Sequence, residues 1–174
     1  MRRQIGVIGS SEEDPEGKER AFRIGKEIAR SGASLLTGGC TGLPFAAVKG
    51  AKEEGGFTIG ISPAVDEDEH VNKYGYPVDG HDALIYTGFG YKGRNVILVR
   101  SCDAVVATSG RMGTLNEITI AYGLDKVIGL LKGVSGASEV FEDLTDEIGR
   151  PGRTLVSSDD PEELVREVQA ALGE

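Results

Sequence analysis

Short apolar runs alternate with helical periodicities along the whole of this chain, and that alternation constrains its fold more than any other feature. The runs predict strands at Gln4 to Ile8, Ala33 to Leu36, Phe57 to Ile61, Ala83 to Tyr86, Asp103 to Ala107, Val127 to Leu131 and Thr154 to Val156. Between them, apolar residues recur at helical spacing: Ala21, Ile24, Gly25, Ile28 and Ala29; Leu43, Ala46, Ala47, Gly50 and Ala51; Val96, Ile97 and Val99; Leu115, Ile118, Ala121 and Tyr122. A last face is formed by Leu164, Val165, Val168, Ala171 and Leu172. Strands that are apolar almost throughout, each followed by a helix, belong in a parallel sheet covered on both faces. The expected architecture is α/β: three layers, doubly wound, with a mainly parallel sheet of about six to seven strands.

Helix ends are marked by their chemistry. Asp14-Pro15 reads as an N-cap followed by proline at the first helical position. Asp160-Pro161-Glu162-Glu163 adds a glutamate placed to complete a capping box. Two segments read as long loops, Ser62 to Asp82 and Lys132 to Arg153, the second with a short helix around Val140 to Ile148. Both suit a lid or a contact between copies better than a domain linker. His70 and His81, in the first of them, read as solvated. The length predicts one domain over residues 1–174.

The chain carries 26 glycines, clustered at turns and not in a periodic array. Glycine at a strand-to-helix turn lets backbone approach a phosphate closely. The formal net charge of −9 argues against nonspecific nucleic-acid binding, which calls for a basic surface. Cys40 and Cys102 offer neither a disulfide framework nor metal spacing and read as small buried side chains. No run approaches the roughly 20 apolar residues of a membrane span. The run from Ile5 to Ile8 is too short for a signal peptide, so the expected location is cytoplasmic.

The glycine-bearing turns at 9–11, 37–42 and 109–114 all follow strands, so a parallel sheet gathers them at one edge. In the last of them, Ser109 to Glu117, the loop leads straight into a helix. Unpaired backbone N–H groups and the positive end of the helix dipole make such a place an anion site. A dinucleotide fingerprint is missing, because Gly6-Val7-Ile8-Gly9-Ser10 lacks its spacing and no acidic residue ends the second strand. No P-loop occurs either. Arg94 suits a bidentate contact to phosphate or carboxylate, or equally a surface salt bridge. Glu117 suits a ligand contact or simple complementarity to the helix dipole. Thr41 and Thr114 suit phosphate contacts or helix caps, and Ser10 and Ser11 a ligand contact or a turn. Tyr122 reads as core.

Four segments, taken together, resemble a known family. Gly9-Ser10-Ser11 is similar to a G-S-S turn after the first strand, and Gly38-Gly39-Cys40-Thr41-Gly42-Leu43 to a G-G-x-x-G-L/M loop. Arg94, nine residues before Asp103, is similar to the arginine of an R-K pair. Gly110, Gly113, Thr114 and Glu117 are similar to P-G-G-x-G-T-x-x-E. Their order and spacing resemble the LOG-type family of Rossmann-like proteins, often labelled lysine decarboxylase-like. Asn95, in place of the lysine, resembles a branch of that family related to a molybdenum-cofactor carrier.

The resemblance implies a phosphorylated, nucleotide-like ligand. LOG-type enzymes hydrolyse the N-glycosidic bond of nucleoside 5′-monophosphates. Carried over, Arg94 and Glu117 would be the catalytic pair. Glu117 would hold the ribose hydroxyls or stabilise an oxocarbenium-like charge, and Arg94 would orient or protonate the departing base. Ligand contacts would come from Gly9, Ser10, Gly38, Gly39, Thr41, Gly42, Gly110, Arg111, Met112, Gly113 and Thr114. The alternative is a carrier or sensor of a nucleotide or of a molybdopterin-type cofactor, without turnover. No cofactor is required, no metal site is expected, and a homodimer or larger homo-oligomer is implied. Lysine decarboxylation itself is not expected, because no lysine stands out for a pyridoxal phosphate Schiff base. Two departures bear on these roles: Ser109 stands in place of the family's proline and Arg111 in place of its second glycine.

Overall fold

A computed structural model describes residues 2–11 and 15–173, so the Asp14 cap lies outside the described residues. The elements in chain order are β1 (Gln4–Ile8), α1 (Pro15–Arg30), β2 (Ser34–Thr37), α2 (Leu43–Glu53), β3 (Thr58–Ser62), β4 (Ala83–Tyr86), α3 (Gly90–Arg100) and β5 (Ala104–Ala107). They continue with α4 (Met112–Gly123), β6 (Val127–Leu131), α5 (Ala137–Ile148), β7 (Leu155–Ser158) and α6 (Pro161–Ala171). The seven strands lie in the order β4-β3-β2-β1-β5-β6-β7, and every neighbouring pair is parallel. The order reverses between β1 and β5, which is where such a sheet opens a crevice at its carboxyl edge.

The strand period of two sorts side chains to the two faces. Ile5, Val7, Leu35 and Val106 pack with Ile24 and Ile28 of α1, Ala47 and Ala51 of α2, and Leu164 and Val168 of α6. Ile8, Leu36, Val105 and Ala107 pack with Leu98 of α3, Ile118 of α4 and Phe141 of α5. Three helices therefore cover each face. Each isoleucine or leucine buried this completely contributes roughly 1.5–3 kcal/mol. Helices α1 and α2 touch backbone to backbone: a Cβ on Gly25 would lie 1.9 Å from the Ala47 carbonyl oxygen, and one on Gly50 would lie 2.0 Å from that of Phe22. The small-residue stripe is thus a condition of that packing.

Several sequence expectations need correction. Lys132 to Arg153 is not mainly loop, since α5 begins at Ala137 and buries Ala137, Ser138 and Phe141. In α3, Val96 faces outward and the buried side is Arg94, Asn95, Leu98 and Val99. The helix turns polar residues inward because they line a cavity there. At α6 the Asp160 side chain accepts from the Glu163 N–H at 2.8 Å, as a cap should. Glu163 does not reach back to the Asp160 N–H. It accepts from the Ser158 hydroxyl at 2.7 Å, whose oxygen accepts that N–H at 3.0 Å.

The histidines are not solvated. The segment between β3 and β4 contains one π-helical turn, Glu69–Lys73, and His70 within it is fully buried. Its Nδ1 meets the Ser62 hydroxyl at 2.8 Å and its Nε2 meets the Pro77 carbonyl at 3.1 Å. His81 lies against Thr37 Oγ1 at 3.3 Å, and burial, helped by His70, lowers its pKa to about 4. Both rings pin the segment to the sheet. Among the described residues no helix is long and apolar enough to cross a membrane.

Candidate functional site

A cavity of about 340 Å³ opens at the carboxyl ends of β1, β2 and β5, at the switch point of the sheet. The turn after β1 supplies Gly9, Ser10 and Ser11, and the turn after β2 supplies Gly38 and Cys40. Arg111, Gly113, Thr114 and Glu117 come from the loop after β5 and the first turns of α4. Helix α3 lays Tyr91, Lys92, Arg94 and Asn95 along the cavity, and Tyr76 enters from the segment between β3 and β4.

Arg94 is no surface ion-pairing residue, because its side chain is buried, with 6% exposure. Its Nε has no hydrogen-bond partner among the described residues. The guanidinium lies on the Gly38 backbone, and a Cβ there would fall 1.5 Å from Nη1. Glycine at 38 is thus the seat of the arginine. Burying a cation without full hydrogen bonding is costly, and the nearby Glu117 carboxyl offsets part of that cost.

Glu117 is also buried. Burial pushes its carboxyl up from 4.5 to about 7, against the pull of the Arg94 and Lys92 charges. The amide of Asn95 sits beside it. Oriented to satisfy its neighbours, Asn95 Nδ2 donates to Glu117 Oε1 at 3.0 Å and to the Tyr91 carbonyl at 2.9 Å. Its oxygen then lies 3.0 Å from the Asn116 side-chain amide, which donates to it once turned the same way. Asn95 therefore holds Glu117 with a neutral donor. The Cys40 thiol is pushed up to about 11 by burial, so it stays protonated at neutral pH.

At the start of α4, Arg111 occupies the N-cap position and its side chain makes no cap hydrogen bond. The N–H groups of Met112, Gly113 and Thr114 have no acceptor among the described residues. Nothing lies within 4 Å of where a Gly113 side chain would begin, so that turn is open to a ligand. The two departures in this loop have a structural account. Ser109 has φ of 143°, a value closed to proline, which is locked near about −65°. Its hydroxyl donates to the Ser135 carbonyl at 2.8 Å. Arg111 is extended, at φ −113° and ψ −152°, so the position places no demand for glycine.

Of the residues singled out in the sequence as ligand contacts, Gly9, Ser10, Ser11, Gly38, Arg94, Arg111, Gly113, Thr114 and Glu117 meet at this cavity. The others do not line it. Gly110 has φ of 102° and packs on Thr114, with its carbonyl accepting from the Ala137 N–H at 2.7 Å. It shapes the loop from behind. Gly39 turns the chain beside His70 and Leu84. Met112 is exposed to solvent. Thr41 and Gly42 line a separate cavity with Phe22, Phe45 and Lys49. Gly42 rather than Thr41 is the N-cap of α2, and the Leu43 N–H is taken by the Ser10 carbonyl at 2.9 Å.

Sequence reasoning missed Tyr76, Tyr91 and Lys92. Tyr91 was legible in principle, because Tyr91, Arg94, Asn95 and Leu98 fall on one face at helical spacing. Tyr76 carries no local signal, since the irregular segment that delivers it has no periodicity.

The fold and the place of this cavity define a Rossmann-like α/β protein with a crevice at the sheet's switch point. The chain belongs to the SLOG cluster4 family, whose model it matches over residues 2–165. An uncharacterised protein of Archaeoglobus fulgidus is 40% identical over 129 residues, which cover 74% of this chain and 80% of that one. The molybdenum cofactor binding protein of the phototrophic bacterium Rippkaea orientalis is 30% identical, with a TM-score of 0.84 over 99% of this chain and 98% of that one. The molybdenum cofactor carrier protein of Chlamydomonas reinhardtii is 29% identical, with a TM-score of 0.80 over the full length of both.

Proposed function

We propose that this protein is a carrier: it binds a phosphorylated cofactor of the molybdopterin type in the cavity at the switch point and releases it unchanged. The observation that carries this reading is the buried guanidinium of Arg94, seated on Gly38 with an unsatisfied Nε and facing the same cavity as the open first turn of α4. Arg94, Thr114 and the N–H groups of Met112 and Gly113 supply the donors that a phosphate monoester needs. A volume of about 340 Å³ lies within the usual range of small-molecule sites. Two solved relatives, a molybdenum cofactor binding protein and a molybdenum cofactor carrier protein, support the same class of cargo.

Turnover of a nucleoside monophosphate is less well supported. The LOG-type lysine is replaced by Asn95, whose amide occupies one oxygen of Glu117. A carboxyl at about 7 is half protonated at neutral pH and so is a weak stabiliser of a cationic sugar. Two assays decide between the readings. Molybdopterin presented to the purified protein should bind in stoichiometric amount, be recovered chemically intact, and bind at least tenfold more weakly to Arg94→Ala. AMP incubated with the protein should release no free adenine. Adenine release that disappears in Glu117→Gln would overturn the carrier reading in favour of a hydrolase.

A further inference from the structure

We infer that Tyr76 and Tyr91 form the ring-recognition end of the cavity, so that the ligand is a phosphate monoester of a planar heterocycle lying lengthwise along the sheet edge. This rests on the phosphate reading given above. It adds the orientation of the ligand and two residues that read its ring.

The order of the strands lays out the cavity. Thr114 follows β5, Ser10 follows β1, Gly38 follows β2, and Tyr76 follows β3. Phosphate donors therefore gather at the β5 and β1 end, and the aromatic group at the β2 and β3 end. Three strand spacings separate the two ends, about 14 Å. That length suits a phosphate joined through a short polar spacer to a fused ring. Arg94 and Glu117 fall between the ends. The Arg94 guanidinium stays a phosphate donor, and Glu117 faces the stretch where a spacer carries its hydroxyls.

The aromatic end is assembled from two segments distant in sequence. The Tyr76 hydroxyl donates to that of Tyr91 at 3.3 Å, a long bond that a ligand edge can open. Burial and that contact push the Tyr76 phenol up, so it remains a donor across the working pH range. Tyr74 backs both rings: it stacks on Tyr76 at 5.7 Å and meets Tyr91 edge-on at 5.3 Å. His70, fully buried, holds the Tyr76 edge at 5.6 Å. Tyr76 is thereby fixed from behind. The Tyr91 ring, on the first turn of α3, is 51% exposed and lines the cavity. A rigid aromatic group supported on one side and open to a polar cavity on the other suits stacking of a heterocycle.

The chain has no tryptophan and five tyrosines, so its intrinsic fluorescence is weighted toward this cluster of three. Titration calorimetry and tyrosine fluorescence with AMP, ribose 5-phosphate and inorganic phosphate test the inference. AMP should bind at least about tenfold tighter than ribose 5-phosphate and should quench tyrosine emission. Tyr91→Leu, at a half-exposed position, should keep the melting temperature and the ribose 5-phosphate affinity while removing most of the AMP advantage. Tyr76→Phe should weaken AMP alone by a few-fold. Equal affinity for AMP and ribose 5-phosphate in the unaltered protein would overturn the inference and leave the phosphate reading standing. So would a Tyr91→Leu loss that falls equally on both ligands. AMP binding that depends on Tyr91, with no binding of either ring-free phosphate, would overturn the phosphate reading and keep the ring site. No binding by any of the three would overturn both.

Discussion

Glu117→Gln should make this protein more stable at neutral and basic pH, although it removes a charge from the cavity. The carboxyl titrates at about 7 in the fold and at 4.5 when exposed. The folded chain thus holds the proton more tightly than the unfolded chain. Its contribution to stability is greatest below 4.5 and is lost as pH rises through 7. The full difference is about 3 kcal/mol, and most of it falls between about pH 5 and about pH 8. Glutamine has the same shape, keeps an oxygen for Asn95 Nδ2, and does not titrate. Every other titrating group is shared, so subtracting the two proteins isolates this one. The assay is urea denaturation of both proteins at a series of pH values. The advantage of Glu117→Gln should grow by about 2–3 kcal/mol from about pH 5 to about pH 8. Parallel stability profiles would refute the reasoning, because they would mean that Glu117 remains solvated or is matched by a cation in the folded state.

Two further substitutions probe close contacts. Gly38→Ala puts a methyl 1.5 Å from Arg94 Nη1, and the flexible side chain can swing away. The fold should therefore survive, with a loss of about 1–2 kcal/mol in thermal melts, while phosphate-ligand affinity measured by calorimetry falls at least tenfold. Gly25→Ala puts its methyl 1.9 Å from the Ala47 carbonyl, which is backbone and cannot swing, so α1 and α2 must part at a cost of about 3 kcal/mol. Gly123→Ala, at the end of α4 with open space around it, should instead stabilise by about 0.5–1 kcal/mol in the same denaturation assay.

What was legible in the sequence follows from local rules. A strand buried on both faces must be apolar throughout, so β1 and β6 were readable to the residue from Gln4–Ile8 and Val127–Leu131. The edge strand β4, only partly buried, was readable from the β-forming run Ala83–Tyr86. The glycine turn at Gly38 announced the site because a backbone that meets a guanidinium has no room for a side chain. The seat of Arg94 was different. Whether that residue pairs with solvent or with a ligand depends on burial, and burial is a property of what packs around α3, not of its own spacing. His70 and His81 were misread for the same reason: a polar loop composition says nothing of the Ser62 and Thr37 hydroxyls that bring each ring inside.

The residues of this chain, read alone, determined a parallel doubly wound sheet and a set of anion-type turns along one edge, since period, turn chemistry and strand composition act over a few residues. Only the tertiary structure decided which turns converge. It put Thr41, Gly42 and Met112 outside the cavity and left Gly39 and Gly110 as supports. It also brought Tyr76 and Tyr91 together, 15 positions apart, and placed an amide against Glu117. Such contacts are made across strands and between layers, where the partner of a side chain is set by how the sheet and helices pack and by no pattern within its own segment.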